Sequence, residues 1–205
     1  MTRPMQADAY VTRARLIEAG VTAFAQSGYH ATTTRALAKA AQVNGALINH
    51  YFGGKRGLYE ACVDEVYRRL GVRAKEAMGG EILANVEMLM ERLYGVARAE
   101  RDGVRLLVRE VLDRGRLSPH TERKHFLPEL ERATRMTADL VGVSVPQART
   151  AAVTVGYLLS RFVIQDDRSL VAAIGVRSVK EAHARAIQTL ATTARALFAA
   201  PLRKE

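Results

Sequence analysis

Apolar residues recur every three or four positions along nearly the whole chain, the spacing of one face of an α-helix. No segment bounded by turn residues alternates apolar and polar side chains as a half-buried strand does. The pattern predicts an all-α protein. Between Asp8 and Gln26, Val11, Leu16, Ile17, Ala19, Val21, Ala23 and Phe24 gather on one side of a first helix, which Gly28 is placed to close. Thr32 and Thr33 suit the N-cap of a second helix through Ala41, and Asn44 suits that of a third through Tyr51. Ala41, Gln42 and Val43 separate the two, the length of turn that a helix-turn-helix uses. Helices this short are marginal alone, so both must be held by the first helix and by the chain beyond Tyr51.

After Gly53 and Gly54, Leu58, Cys62, Val66 and Leu70 at spacing four mark a long amphipathic helix running to the glycine pair at 79 and 80. Further helices are expected over Glu81 to Arg101 and Val104 to Asp113, followed by the polar break "RGRLSPH". Pro128 interrupts the helical pattern between Thr121 and Val141 or starts it afresh. Two helices are expected to close the chain. Pro146 sits in the first turn of one reaching about Gln165, and "SVKE" at 178–181 reads as a capping box for another reaching about Ala199. Small residues are dense in both, including Ala148, Ala151, Ala152 and Gly156 in the first and Ala182, Ala184, Ala186, Ala191 and Ala194 in the second. They suit a close helix seam, within a bundle or between two copies of the chain, while plain helix propensity also favours alanine.

Charge narrows the partner. The 205 residues carry a formal net charge of +10, which favours a polyanion, either nucleic acid or an anionic membrane surface. Half of that excess lies in the first 56 residues, where seven basic side chains face only Asp8 and Glu18. One cysteine, Cys62, excludes an intramolecular disulfide and a cysteine-rich metal site. With no apolar signal core at the N-terminus and no long uncharged apolar run, a soluble, cytoplasmic protein that does not enter the membrane is expected.

The chemistry concentrates between Thr32 and Ala61. If Asn44 caps the third helix, Asn44, Gly45 and Ala46 form an exposed entry turn, with Leu47, Ile48 and Phe52 facing the core and Asn49, His50 and Tyr51 on or near the outer face. Such a helix can enter a DNA major groove, because nothing bulky holds its backbone away from the base edges. Thr34 and Arg35 in the first turn of the second helix, and Lys55 in the first turn of the fourth, are placed as phosphate ligands, where helix N-termini already favour an anion. His50 and Tyr51 can donate to phosphate oxygens, contacts that set register rather than sequence.

With these residues in view, the stretch from about Thr12 to Cys62 resembles the N-terminal DNA-binding domain of the TetR family of bacterial transcriptional regulators. The resemblance rests on "RLIEAGVTAFAQSGYHATTTRALAKAAQV" followed by "NHYFGGKRGLYEA". It implies a three-helix DNA-binding domain over residues 1–54 and a larger helical domain over 55–205 that binds a ligand and dimerises. It also implies that Thr34, Lys55, His50 and Tyr51 contact phosphate while Asn44, Gly45, Ala46 and Asn49 face the groove. The expected function is a sequence-specific regulator, a ligand-responsive repressor acting as a homodimer on a palindromic operator. Its partners would be double-stranded DNA, a second copy docked through the last two long helices, and an unidentified small-molecule effector, with no cofactor and no metal. Two positions depart from the family pattern. Gln42 stands where the turn commonly has glycine, and Gly45 where a longer polar or basic side chain is often found. That shifts base reading toward Asn44, Asn49 and DNA shape.

Two rival readings make different demands. An enzyme would need a constellation, but the five histidines are scattered and no HExxH, GxSxG or phosphate-loop motif is present. A non-specific basic nucleic-acid or membrane-surface binder would use a second stripe at Arg68, Arg69, Arg73 and Lys75, residues whose plainer reading is a solvated helix face. For an effector the sequence gives only a setting. Leu83, Met88, Leu93, Leu107, Phe126, Met136, Leu158 and Phe162 are apolar candidates for cavity or core, and Arg109, Glu110, His125 and Tyr157 are possible polar contacts.

Overall fold

The computed structural model describes residues 3–77 and 85–199. The expected glycine pair at 79 and 80, the helix start at Glu81 and the apolar Leu83 lie outside the described residues. Eleven α-helices are described: α1 (Arg3–Ala31), α2 (Thr34–Ala41), α3 (Ala46–Phe52), α4 (Lys55–Ala77), α5 (Val86–Ala99), α6 (Arg101–Arg114), the single turn α7 (Pro119–Thr121), α8 (Leu127–Val141), α9 (Val145–Ile164), α10 (Asp167–Ile174) and α11 (Val179–Ala199). One π-helical turn, Glu122–Phe126, leads into α8. The chain groups into two compact units, one of residues 1–69 and 102–122, the other of residues 70–101 and 123–205.

In the first unit the expected stripe on α4 is the organising face. Leu58, Cys62, Val63 and Val66 are fully buried, as are Leu16 and Ala25 of α1, Leu37 of α2 and Ile48 of α3. Burying each large side chain contributes about 1.5–3 kcal/mol, enough in sum to hold two helices that would not persist alone. α1 and α4 approach so closely that a Cβ on Gly20 would lie 2.5 Å from the Cys62 sulfur. Burial pushes the Cys62 thiol well above its ordinary range, so this cysteine is packing material rather than a nucleophile. α6 joins the unit: the Arg109 guanidinium donates to the Gln26 carbonyl at 3.1 Å, and that of Arg114 lies 5.4 Å from the centre of the Tyr29 ring. The segment after α6 is pinned by Glu110, whose Oε1 accepts the Ser118 N–H, and by a 2.7 Å contact between His120 and Asp64.

The proposed second basic stripe is mostly neutralised. Arg68 and Arg69 both bond the Glu65 carboxylate, and Arg69 also reaches Glu18 at 2.6 Å. Arg73 pairs with Glu100 at 3.2 Å. The hydrogen bonds from Arg68, joined by those from Arg69 and opposed by partial burial, hold the Glu65 carboxyl down at about 2 against an ordinary 4.5. A depressed carboxyl stabilises the fold fully above about pH 4.5 and loses that contribution as pH falls toward 2. After discounting for solvent around the arginines, the loss is about 1–2 kcal/mol. In urea unfolding, the stability advantage of the natural protein over Glu65→Gln should therefore shrink by that amount between pH 6 and pH 2.5; a constant difference would show that the pair adds nothing.

In the second unit α8 packs on α9, and α11 lies against α5, α9 and α10. Ser144 accepts the Gln147 N–H at the start of α9, beside Pro146 in its first turn. At α11 Ser178 accepts the Glu181 N–H, but the Glu181 carboxylate accepts from Arg177 rather than Ser178, so the capping box closes one residue out of register. α10 lies between these helices where a connection was expected, so three helices rather than two close the described chain. Asp166 caps it by accepting from Ser169, and Gly175 ends it in the left-handed region at φ 75°. Of the small residues noted in the sequence, Ala148, Ala151, Ala182, Ala186, Ala191 and Ala194 are buried inside the single chain, forming a seam within the bundle. Among the described residues no helix is long and apolar enough to cross a membrane.

Candidate nucleic-acid interface

The site is assembled by three local devices. The first is the break that ends α1. Gly28 takes φ 76° and ψ 169°, and Thr32, buried, donates from its hydroxyl to the Gly28 carbonyl at 2.7 Å. Thr32 therefore ties down the end of α1, and Thr33 alone caps α2, accepting the Ala36 N–H at 3.1 Å. This leaves Thr34 and Arg35 exposed in the first turn of α2, as expected. Among the described residues, neither Arg35 nor the exposed Lys39 has an ion-pair partner.

The second device is the turn. Gln42 adopts φ 56° and ψ 45°, and it is the non-glycine residue with positive φ among those described. The left-handed conformation demanded by the helix-turn-helix is thus kept despite the missing glycine, at a strain of roughly 1 kcal/mol. Its N–H bonds back to Lys39, and that of Val43 to Ala38, which fixes the departure of the chain toward α3.

The third is the entry and exit of α3. Regular helix begins at Ala46 rather than directly after Asn44, yet Asn44 still caps it: its Oδ1 accepts the Ala46 N–H at 2.9 Å and its carbonyl accepts that of Leu47. Ile48 is fully buried beneath, while Asn44, Gly45, Ala46, Asn49 and His50 are exposed. Tyr51 is half-buried with its ring centre 4.9 Å from that of His50, and Phe52 is half-buried beneath Arg13 at 5.3 Å. Gly53 at φ 67° and Gly54 at φ 120° then reverse the chain into α4.

The structure brings Asn44, Gly45, Ala46, Asn49 and His50 together on one exposed helix face, and sets Thr34 and Arg35 in an exposed first turn. Lys55 is different. Its ammonium donates to the carbonyls of Tyr29 and Thr32, both at 2.9 Å, and lies 4.4 Å from the centre of the Tyr29 ring. It fastens the start of α4 to the loop between α1 and α2, with one of its three protons left to donate. Sequence reasoning missed this fastening and also Gly57. A Cβ there would sit 1.8 Å from the Phe52 carbonyl oxygen, so the sharp α3–α4 junction requires glycine.

Comparison with known proteins agrees with this geometry. Residues 16–62 match the family described as bacterial regulatory proteins, tetR family. The chain is 36% identical over 66 residues to the HTH-type transcriptional regulator BetI of Vibrio campbellii, covering 32% of this chain and 33% of that one. It is 27% identical over 115 residues to the HTH-type transcriptional regulator UidR of Escherichia coli, covering 56% and 57%. These alignments span a third to just over half the length of the curated relatives. A TetR-like transcriptional regulator from Rhodococcus sp. RHA1 shares the fold at TM-score 0.64 and 20% identity, over 90% of this chain and 96% of that one. A TetR-family transcriptional regulator from Streptomyces coelicolor does so at TM-score 0.65 and 15% identity, over 92% and 96%. The helix-turn-helix that residues 16–62 build is thus the part of this chain that matches the TetR family.

Proposed function

We propose that the protein is a homodimeric transcriptional repressor that reads a palindromic DNA operator and releases it when a small molecule binds. The observation that carries this reading is the exposed face of α3, small and polar at its entry, beside the uncompensated cations of α2. Thr34, Arg35, His50 and Tyr51, with the remaining proton of Lys55, hold phosphates on either side of the groove. Asn44, Gly45, Ala46 and Asn49 meet the bases. An asparagine amide matches the adenine edge bidentately, and an alanine methyl packs on the thymine methyl, so the centre of each half-site should be A·T-rich. Two copies related by a two-fold axis would read half-sites roughly 34–36 Å, or a multiple, apart.

For the second copy, the outward faces of α9 and α11 supply the surface, with Tyr157 67% exposed on α9 and with Ala184, Gln188 and Thr192 exposed on α11. The regulatory half of the reading rests on a partly open cavity of about 330 Å³ lined by residues of α4, α5, α8, α9 and α11 in the second unit. α4 contributes Ala74 to its wall and Lys55 to the α3–α4 junction, so one helix serves both functions. Release occurs only to the extent that the ligand binds the DNA-incompatible conformation more tightly.

The test is selection of genomic fragments with purified protein, then titration of the best fragment and a scrambled version at two salt concentrations. A preference of about a thousandfold or more for a palindromic fragment is expected, and Asn49→Ala should relax one A·T position by about 1–3 kcal/mol. Equal affinity for both DNAs with a steep salt slope would leave a charge-driven binder instead.

A further inference from the structure

The cavity of the second unit also shows what it would accept. Its wall is built from Val86, Leu89, Met90, Leu93, Met136 and Leu159, with Phe198 at one end, and Thr137 is the uncharged polar side chain among its lining residues. Among the described residues two charged ones line it, Glu129 and Arg132, both exposed and bonded to one another, so they cancel at the mouth rather than presenting a charge inward. The space exists because the residues that face it are small. Ala133 of α8, Ala151, Ala152 and Gly156 of α9 and Ala194 of α11 all line the cavity, and a Cβ on Gly156 would meet nothing within 4 Å. Part of the small-residue density that reads as a helix seam in the sequence thus hollows the bundle.

We infer that this cavity takes an uncharged, predominantly hydrophobic small molecule carrying at most a hydroxyl or carbonyl group. The inference deepens the ligand-responsive part of the proposed function and rests on it for its regulatory meaning, but not for binding itself. A carboxylate or ammonium drawn inside would lose its hydration without a counter-charge among the described lining residues, a cost that the apolar wall does not offset. An uncharged hydrophobe gains in proportion to the apolar area it buries, and a hydroxyl can be met by Thr137. The volume of about 330 Å³ falls at the small end of small-molecule sites.

The experiment uses the full chain without DNA. The uncharged dye N-phenyl-1-naphthylamine is titrated by fluorescence, then displaced with 1-decanol, decanoate and decyltrimethylammonium, three molecules sharing one chain and differing in head-group charge. One dye per chain is expected, displaced by 1-decanol at concentrations at least about tenfold below either charged analogue, equivalent to about 1.4 kcal/mol. Gly156→Leu and Ala152→Leu, each checked for unchanged helicity, should weaken dye binding at least fivefold. Thr137→Lys should move the preference toward decanoate. The inference is overturned if the dye does not bind, if decanoate displaces it as well as 1-decanol, or if both folded leucine variants bind it like the natural protein. Adding the selected DNA fragment separates the two proposals: 1-decanol binding that leaves DNA affinity unchanged keeps the ligand class and removes the regulatory reading.

Discussion

Gly57→Ala is expected to abolish specific DNA binding and to destabilise the first unit by about 3 kcal/mol or more, the upper end of overpacking penalties. The added carbon would lie 1.8 Å from the Phe52 carbonyl oxygen and 3.0 Å from its carbon. Both are backbone atoms, so no rotamer change relieves the contact, and α3 must separate from the start of α4. That movement carries the exposed face of α3 away from the first turn of α2, and the proposed phosphate and base contacts would cease to fit one duplex. A loss of about a hundredfold in affinity for the selected fragment corresponds to less than about 3 kcal/mol, so even partial relief of the clash would be visible. Gly71→Ala supplies the control within the same helix, since its Cβ meets nothing within 4 Å. It should stabilise α4 by about 0.5–1 kcal/mol through helix propensity alone. Equal melting temperatures for the two variants would show that the close approach at Gly57 is not a constraint.

Why the helix-turn-helix was legible in the sequence while much around it was not comes down to the range of the interactions. Thr33, Asn44 and the stripe Leu58, Cys62 and Val66 act over three to four residues, the reach of a helical turn, so spacing alone places them. Gln42 shows the limit of residue preference: the turn keeps its left-handed geometry because the N–H groups of Gln42 and Val43 bond back to α2 and Leu37 and Ile48 are buried on either side of it. α10 was missed because its eight residues are flanked by caps, Asp166 with Ser169 and Gly175, that also read as a polar connection. Of the apolar candidates for cavity or core, Leu93 and Met136 line the cavity, while Met88, Leu107, Phe126, Leu158 and Phe162 are not among its lining residues. Periodicity identifies the inward face of a helix but not whether the facing side chains fill the space between. That depends on which small residues meet across the bundle, a property of the fold.

Lys55→Met is expected to do two separable things, because the side chain has two kinds of partner. Its ammonium closes the carbonyls of Tyr29 and Thr32, left without helical partners where α1 breaks and α2 begins, from 26 and 23 residues away in sequence. Hydrogen bonds from a charged donor contribute about 1.5–3 kcal/mol each when a buried acceptor would otherwise be stranded. Partial exposure and the retained methionine stem reduce the combined loss to about 2–3 kcal/mol, measurable by urea unfolding. The remaining proton and the charge itself face the phosphate backbone in the proposed complex, so the plot of log affinity against log salt should also become shallower by about 0.9. Arg35→Met is the comparison. Exposed and without an ion-pair partner among the described residues, Arg35 should give the same change in salt slope with unfolding stability unchanged. If Lys55→Met loses stability while its slope stays at the natural value, Lys55 is a fastening of the turn alone. If the slope falls and stability does not, the two carbonyl bonds contribute nothing net, and the α1–α2 loop is held instead by Thr32 and the Gly28 carbonyl.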